Sequence, residues 1–365
     1  MKDYRVDAAD RARIASLRLA SQGIEASALS SPAEAVRWML ATQAQDLPGA
    51  KWSVGLRVPW STIADVDAAL ARAEIVRSWP MRGTLHLVAA EDLPWMLSLT
   101  AERTVQGMAT RHRQLGLDRA TFERARELAV AALAGGRALT RAALLATFEA
   151  HGIPGGGQRG AHLLWCLCHT GTLCLGPMHG GQQAVVLLRE WIVAPRALGR
   201  DEALGELARR YFASHGPATL GDFTRWTKLP VRDAAPALAL ARGDLEEVAS
   251  NGTRYWMAAG TRDRVASRRV HALPGFDEYL LGYQDRSAVL APEHSGVIVP
   301  GTNGMFVATI VSAGQVVGTW RRTTVGRRIV VAAAPFAPLA PSDVSGFQEA
   351  ITAYGHFVGS PVQVA

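Results

Sequence analysis

One order of elements recurs along this chain: capped helices, then two β-prone runs joined by a tight turn. In the first round, Ile14, Leu17 and Leu19 predict a helix over residues 7–21, ended by Gly23. Ser31-Pro32 predicts the start of a second, because serine caps a helix and proline fits its first turn. Thr62 predicts the cap of a third, running through Asp65, Val66, Ala69 and Leu70. The runs 75–79 and 84–88 then flank Pro80 to Gly83 as a hairpin, and helix returns over residues 91–114. In the second round, helices are expected over residues 119–133, from Thr140 through Leu144 and Phe148, and over 158–169 after Gly155-Gly156-Gly157. A hairpin of residues 172–175 and 184–188 closes it. The third round has helices over residues 200–214, 220–227 (capped by Thr219) and 231–242 (started by Pro230). Its hairpin, residues 245–249 and 253–258, turns at Asn251-Gly252.

Three helices and a hairpin are the elements of a winged helix. The chain is therefore expected to be α+β, mainly α, with three tandem winged-helix units over residues 1–115, 116–195 and 196–262. Beyond Val265, Gly and Pro become frequent and residues 297–299, 306–311, 316–320 and 328–331 are strand-like. They predict a small C-terminal β-barrel or curled sheet over residues 263–365. A helix from Ser342 to Tyr354, capped by Ser342, closes it.

Composition bounds the function. Hydrophobic residues make up 48% of the 365 and charged residues 19%, which suits folded domains with real cores. No apolar run approaches the ~20 residues that span a bilayer. Residues 1–7 lack the apolar core of a signal peptide, so a cytoplasmic protein is expected. The net charge of +7 is dominated by arginine and favours an anionic partner such as nucleic acid, although over this length it also fits an ordinary solvated surface. Cys166, Cys168 and Cys174 lie near His162, His169 and His179. Their odd number argues against a disulfide framework, and the single residue between Cys166 and Cys168 misses the usual zinc spacing. Within an apolar helix they read as small buried side chains, with no metal.

The third helices are poor base readers. Residues 65–74 offer Asp, Ala and Arg72, and residues 231–242 offer Arg232 and Arg242 among alanines. Arginines cluster near turns instead: Arg77 and Arg82, then Arg262, Arg264, Arg268 and Arg269, then Arg321, Arg322, Arg327 and Arg328. That placement suits phosphate contacts, which position a duplex without reading it. For any one of them, a solvated surface charge is the simpler account. No P-loop and no Gly-x-Ser-x-Gly is present.

The stretch Arg37-Trp38-Met39-Leu40-Ala41-Thr42-Gln43-Ala44-Gln45-Asp46-Leu47-Pro48-Gly49 poses a geometric problem. Pro48 disfavours helical backbone at Leu47 and Gly49 supplies a stop, which places Gln43 and Gln45 in a final, distorted helical turn. In a regular helix, residues two apart face different ways. Both amides serve one site only if the backbone bends or a cleft encloses them. Taken alone, the two glutamines read as helix-end caps.

Thr42-Gln43-Ala44-Gln45-Asp46 before Pro-Gly, the turn Met81-Arg82-Gly83-Thr84-Leu85-His86, and His215-Gly216-Pro217-Ala218-Thr219 with Asp222-Phe223 and Trp226 make up one set of motifs. Phe276-Asp277-Glu278-Tyr279-Leu280-Leu281-Gly282-Tyr283 with Asp285-Arg286-Ser287 completes it. Together, over nearly the whole chain, they resemble the AlkZ-like family of winged-helix DNA glycosylases. The resemblance implies tandem winged helices with a C-terminal β-barrel, and Gln43 and Gln45 as the catalytic glutamines. It implies excision of N7-alkylated or bulky purine adducts from damaged double-stranded DNA, with unhooking of interstrand crosslinks or antibiotic self-protection in some members. Arg82, Thr84, His86, Arg286, Arg321 and Arg322 are expected to contact DNA. His86, in a strand, reads equally as a hydrogen-bonded core histidine. A monomer without cofactor or metal, working at the nucleoid, is expected. The alternatives are a non-catalytic winged-helix DNA-binding protein (a regulator or drug-resistance factor) and a protein-interaction scaffold.

Overall fold

The computed structural model describes residues 8–179, 181–250, 252–261, 269–302, 304–326 and 328–365. The elements run α1 (Ala8–Ser21), α2 (Pro32–Met39), β1 (Thr42–Gln43), α3 (Leu47–Arg57), α4 (Ile63–Ala71), β2 (Ile75–Met81), β3 (Thr84–Ala89), α5 (Leu93–Gly107) and α6 (Ala109–Gln114). They continue with α7 (Arg119–Leu133), α8 (Arg141–Ala150), α9 (Arg159–His169), β4 (Leu173–His179), β5 (Gln182–Leu187), α10 (Leu188–Trp191), α11 (Arg200–His215), α12 (Leu220–Thr227), α13 (Val231–Ala241), β6 (Leu245–Ser250) and β7 (Thr253–Ala258). The last are β8 (Val270–Leu273), α14 (Glu278–Leu281), α15 (Ser295–Ile298), β9 (Thr309–Ser312), β10 (Gln315–Val325), β11 (Arg328–Pro335), α16 (Pro341–Val358) and β12 (Val362–Val364). Residues 1–7, Asn251, Arg262, Arg264, Arg268 and Arg327 lie outside the described residues.

Local signals set many boundaries. Thr140 accepts from the Ala143 N–H, and Thr219 and Asp222 form a reciprocal capping box. Other expectations need correction. The stretch 54–59 reads in sequence as short and irregular, but α3 continues into it as far as Arg57. The β-branched run Val297-Ile298-Val299 is not a strand: its first two residues end α15, and Ile298 is fully buried in the core. The last helix starts at Pro341 with Ala340 in the cap position, so Ser342 lies inside it.

The chain divides into two compact units, Asp67–Ala203 and the combination of Met1–Val66 with Leu204–Ala365. Within Asp67–Ala203, four antiparallel strands lie in the order β3-β2-β4-β5. The two hairpins join where Arg77 faces Leu175. The core beneath packs Leu133, Leu144, Phe148, Leu163, Leu167 and Val185. The three cysteines are buried in this unit. Burial pushes the Cys166 thiol up to about 11 and that of Cys174 to about 12.

In the other unit, five strands form a sheet in the order β12-β11-β10-β9-β8. It curls, with an irregularity between Val316 and Gly318, but β8 and β12 do not pair. The expected barrel is an open half-barrel, because β12 adds in parallel beside β11 instead of closing on β8. Helix α3 is locked to α16: a Cβ on Gly55 would lie 2.5 Å from the Phe357 ring. Beside it Trp52 meets Tyr354 edge-on at 5.1 Å and donates its Nε1–H to the Ala272 carbonyl at 2.8 Å. The segment that precedes α3 is thereby held from one end.

Candidate active site

Helix α2 starts as its sequence dictates, with the Ser31 hydroxyl accepting from the Glu34 N–H at 3.2 Å. It stops at Met39. Leu40 takes φ 65°, and the Ala41 N–H turns back to the Met39 carbonyl at 2.7 Å. The chain then runs extended through Thr42–Gln43 and re-enters helix at Leu47. Pro48 therefore starts α3 and does not end α2; it sits in the first turn, where no N–H is required. Gly49 is not a stop either. A Cβ there would lie 2.5 Å from Asp46 Oδ2, so glycine makes room for that carboxylate at the start of the helix, where negative charge is favoured.

This corrects the expected helical turn and resolves its geometric problem. Beyond the extended Thr42–Gln43 the backbone bends at Gln45 and Asp46, and the two amides meet. The Gln43 Nε2–H donates to Gln45 Oε1 at 2.7 Å. Gln43 is 6% exposed while Gln45 is exposed, so the pair runs from interior to surface. A carboxamide carries two donors and two acceptor lone pairs, and this bond uses only part of that capacity.

Behind the pair lies a buried polar system. The Gln43 backbone N–H donates to Glu278 Oε1 at 3.2 Å. Glu278 Oε2 accepts the Trp226 Nε1–H at 2.8 Å and lies 3.7 Å from His215 Nε2. Asp277 is gripped by Arg57, with Nη1 to Oδ2 at 3.0 Å and Nη2 to Oδ1 at 3.1 Å. It also accepts from the Ser53 hydroxyl at 2.6 Å and the Tyr279 N–H at 2.9 Å. Arg57 Nη2 reaches Gln22, whose amide donates to the Tyr283 hydroxyl at 3.0 Å. In the sequence Glu278, Trp226 and His215 stand among the residues that carry the family resemblance, without a role of their own. The available signal was an Asp-Glu pair opening an apolar run, where unpaired charge is strongly disfavoured.

A cleft of about 320 Å³ adjoins the motif, lined by Asp46, Phe276, Phe306, Trp320, Arg321 and Arg322 among others. Arg322 donates to the Tyr354 hydroxyl at 2.8 Å and comes within 3.9 Å of Asp46. Arg321 is exposed. Arg286 donates its Nε–H to the Leu280 carbonyl at 2.7 Å and stands over the Phe306 ring at 4.9 Å. Burial, aided by Arg225, pulls its pKa down to about 10. Gln43, Gln45, Arg286, Arg321 and Arg322 thus belong to one unit.

Arg82, Thr84 and His86 belong to the other unit and come together at the turn between β2 and β3. Arg82 has φ 58° and Gly83 φ 67°, the left-handed pair that a tight hairpin turn needs. Arg82 Nη2 lies 2.7 Å from His86 Nε2, and His86 Nδ1 lies 2.8 Å from the Thr84 carbonyl. A carbonyl only accepts, so Nδ1 carries the proton and Nε2 accepts from arginine. His86 is fully buried, and it holds the guanidinium in place.

Comparison with known proteins bears on the family and the fold. The model of the AlkZ-like DNA glycosylase family matches residues 36–357. An interstrand DNA cross-link repair glycosylase of Streptomyces sahachiroi is 28% identical over 326 residues, which cover 83% of this chain and 85% of that protein. The solved structure of the Streptomyces sahachiroi DNA glycosylase AlkZ superposes with a TM-score of 0.81 at 25% identity, covering 97% of this chain and 99% of that one. The chain belongs to the AlkZ-like family of DNA glycosylases.

Proposed function

We propose that the chain hydrolyses the N-glycosidic bond of N7-alkylated or bulky-adduct purines in double-stranded DNA, including purines tied into interstrand crosslinks. The observation that carries this reading is the 2.7 Å bond between the amides of Gln43 and Gln45, which brings both to one place. A purine alkylated at N7 is cationic and already a good leaving group. The site then needs to position water and stabilise an oxocarbenium-like sugar, not to supply a strong base. The C1′–N9 bond breaks with its electron pair going to the purine, which leaves neutral. Water forms the new bond at C1′ and releases a proton. Carboxamide oxygens accept from that water and face the developing positive charge; amide N–H groups hold sugar or phosphate. Lys51 lies buried in α3, and hydrolysis proceeds without an amine adduct.

In this proposal Arg82, with Thr84 and His86 behind it, and Arg286, Arg321 and Arg322 contact DNA as phosphate-positioning groups. The three rounds of helices and hairpin are winged-helix units over residues 1–115, 116–195 and 196–262, and the protein acts as a cytoplasmic monomer. The relative described as an interstrand DNA cross-link repair glycosylase supports the crosslink part of the reading. The test replaces each glutamine by alanine and measures release of N7-methylguanine and of a bulkier adduct from duplex DNA, with binding in parallel. Lost release with retained binding is expected. Unchanged release in both variants refutes the catalytic assignment.

A further inference from the structure

We infer that Glu278 is a positioning residue for the glutamine pair, its carboxylate fixing the backbone of Gln43 and hence where both amides stand. This rests on the catalytic reading of Gln43 and Gln45 above. Glu278 is fully buried. Burying a carboxylate is strongly unfavourable unless its oxygens are filled by donors. One oxygen takes the Gln43 N–H at 3.2 Å, across 235 residues of chain. The other takes the Trp226 Nε1–H at 2.8 Å from α12. Both donors belong to elements far away in sequence, so the carboxylate joins the motif to a rigid frame.

That frame is itself held. The His215 ring, 3.7 Å from the carboxylate, lies 2.9 Å from the Ser214 hydroxyl and stacks on Tyr211 at 4.7 Å and 15°. The neighbouring Asp277 grips Ser53 and Arg57 in α3, on the far side of the motif. Consecutive acids therefore hold the chain before and after Asp46. Between α2 and α3 the segment is only seven residues, 40–46, and has no helical ladder of its own, so its phase is set from outside. A shift of Gln43 by an ångström would carry its side chain, and the Gln45 amide bonded to it, off the reacting sugar.

The test is single-turnover release of N7-methylguanine from duplex DNA by the full chain with enzyme in excess, together with DNA affinity. Glu278→Gln keeps the volume and an acceptor but removes the charge-assisted grip; Trp226→Phe removes the other donor while keeping a ring. Both are measured alone and combined with Gln43→Ala. The expected result is a single-turnover rate lowered about 10- to 100-fold, as a misplacement of about an ångström produces, with affinity changed less than about threefold. In the Gln43→Ala background, Glu278→Gln should add little. An unchanged rate in Glu278→Gln and Trp226→Phe, with Gln43→Ala impaired, overturns the inference alone. Losses that multiply fully with that of Gln43→Ala overturn it too, because Glu278 would then act independently. An unimpaired Gln43→Ala overturns both the catalytic reading and the inference.

Discussion

Arg57→Met is the substitution whose cost the structure fixes most sharply. Arg57 and Asp277 are almost fully buried, with side chains 1% and 3% exposed. The guanidinium makes two bonds to the carboxylate, two to Ser53 (carbonyl and hydroxyl, both 2.8 Å) and one to Gln22 at 2.7 Å. Methionine fills much of the volume but donates nothing. Asp277 would keep only the Ser53 hydroxyl and the Tyr279 N–H, leaving a buried negative charge without its counter-ion. Breaking a buried pair from one side costs about 3–5 kcal/mol. At about 2–4 °C per kcal/mol for a unit of this size, the melting temperature should fall by about 6–20 °C. The uncompensated charge is the larger part of that cost, so adding Asp277→Asn to Arg57→Met should recover a good part of the loss. Differential scanning calorimetry of the single and double variants at pH 7 measures both effects. A loss below about 1 kcal/mol in Arg57→Met, or a double variant no more stable than the single one, refutes the reasoning.

Two other perturbations probe the second unit. Burial pushes the pKa of His169 down to about 4, against the pull of its Nδ1–H bond to the Trp165 carbonyl. Below about pH 6.5 the unfolded chain binds a proton that the fold refuses, so stability should fall as pH drops from about 6.5 to about 4, by up to about 3 kcal/mol; His169→Phe should flatten this part of the melting-temperature profile, and parallel profiles would count against it. Arg82 occupies a left-handed position beside Gly83 where Asn-Gly is preferred. Arg82→Asn relieves the left-handed strain but takes the donor from the buried His86 Nε2, so stability should change by less than about 1 kcal/mol while duplex affinity and lesion release weaken, and unchanged affinity would remove Arg82 from the DNA contact set.

What the sequence disclosed depended on how local the physics was. Thr140, Thr219 and Ser31 cap helices through bonds that span three residues, so their boundaries could be read directly. Val297-Ile298-Val299 could not, because burial of Ile298 in a core drawn from distant segments outweighs its β propensity. The half-barrel was legible as strands that form a barrel or a curled sheet, but the choice between the two was not, since closure depends on whether the last strand pairs with the first. Glu278 stood in plain view as a residue type, yet its partners Gln43 and Trp226 lie 235 and 52 residues away.

Pro48 carries the sharpest case. In sequence a proline after a helical stretch reads as its end, and the same residue in a first turn is a start; the pattern alone does not choose. What chooses is Leu40, fully buried with φ 65°, which breaks α2 nine residues after its serine cap and commits the next residues to extended backbone. That choice inverts the demand on the middle of the motif. At a helix end, Ala44 would sit between two divergent glutamines and its size would matter little. In the observed segment the two amides meet past residue 44, and Ala44 is wholly buried. An apolar residue between two glutamines is then a requirement of the backbone. A charged side chain there would have to be buried without a partner or push the segment out of place, and moving the segment would break the bond between the two amides.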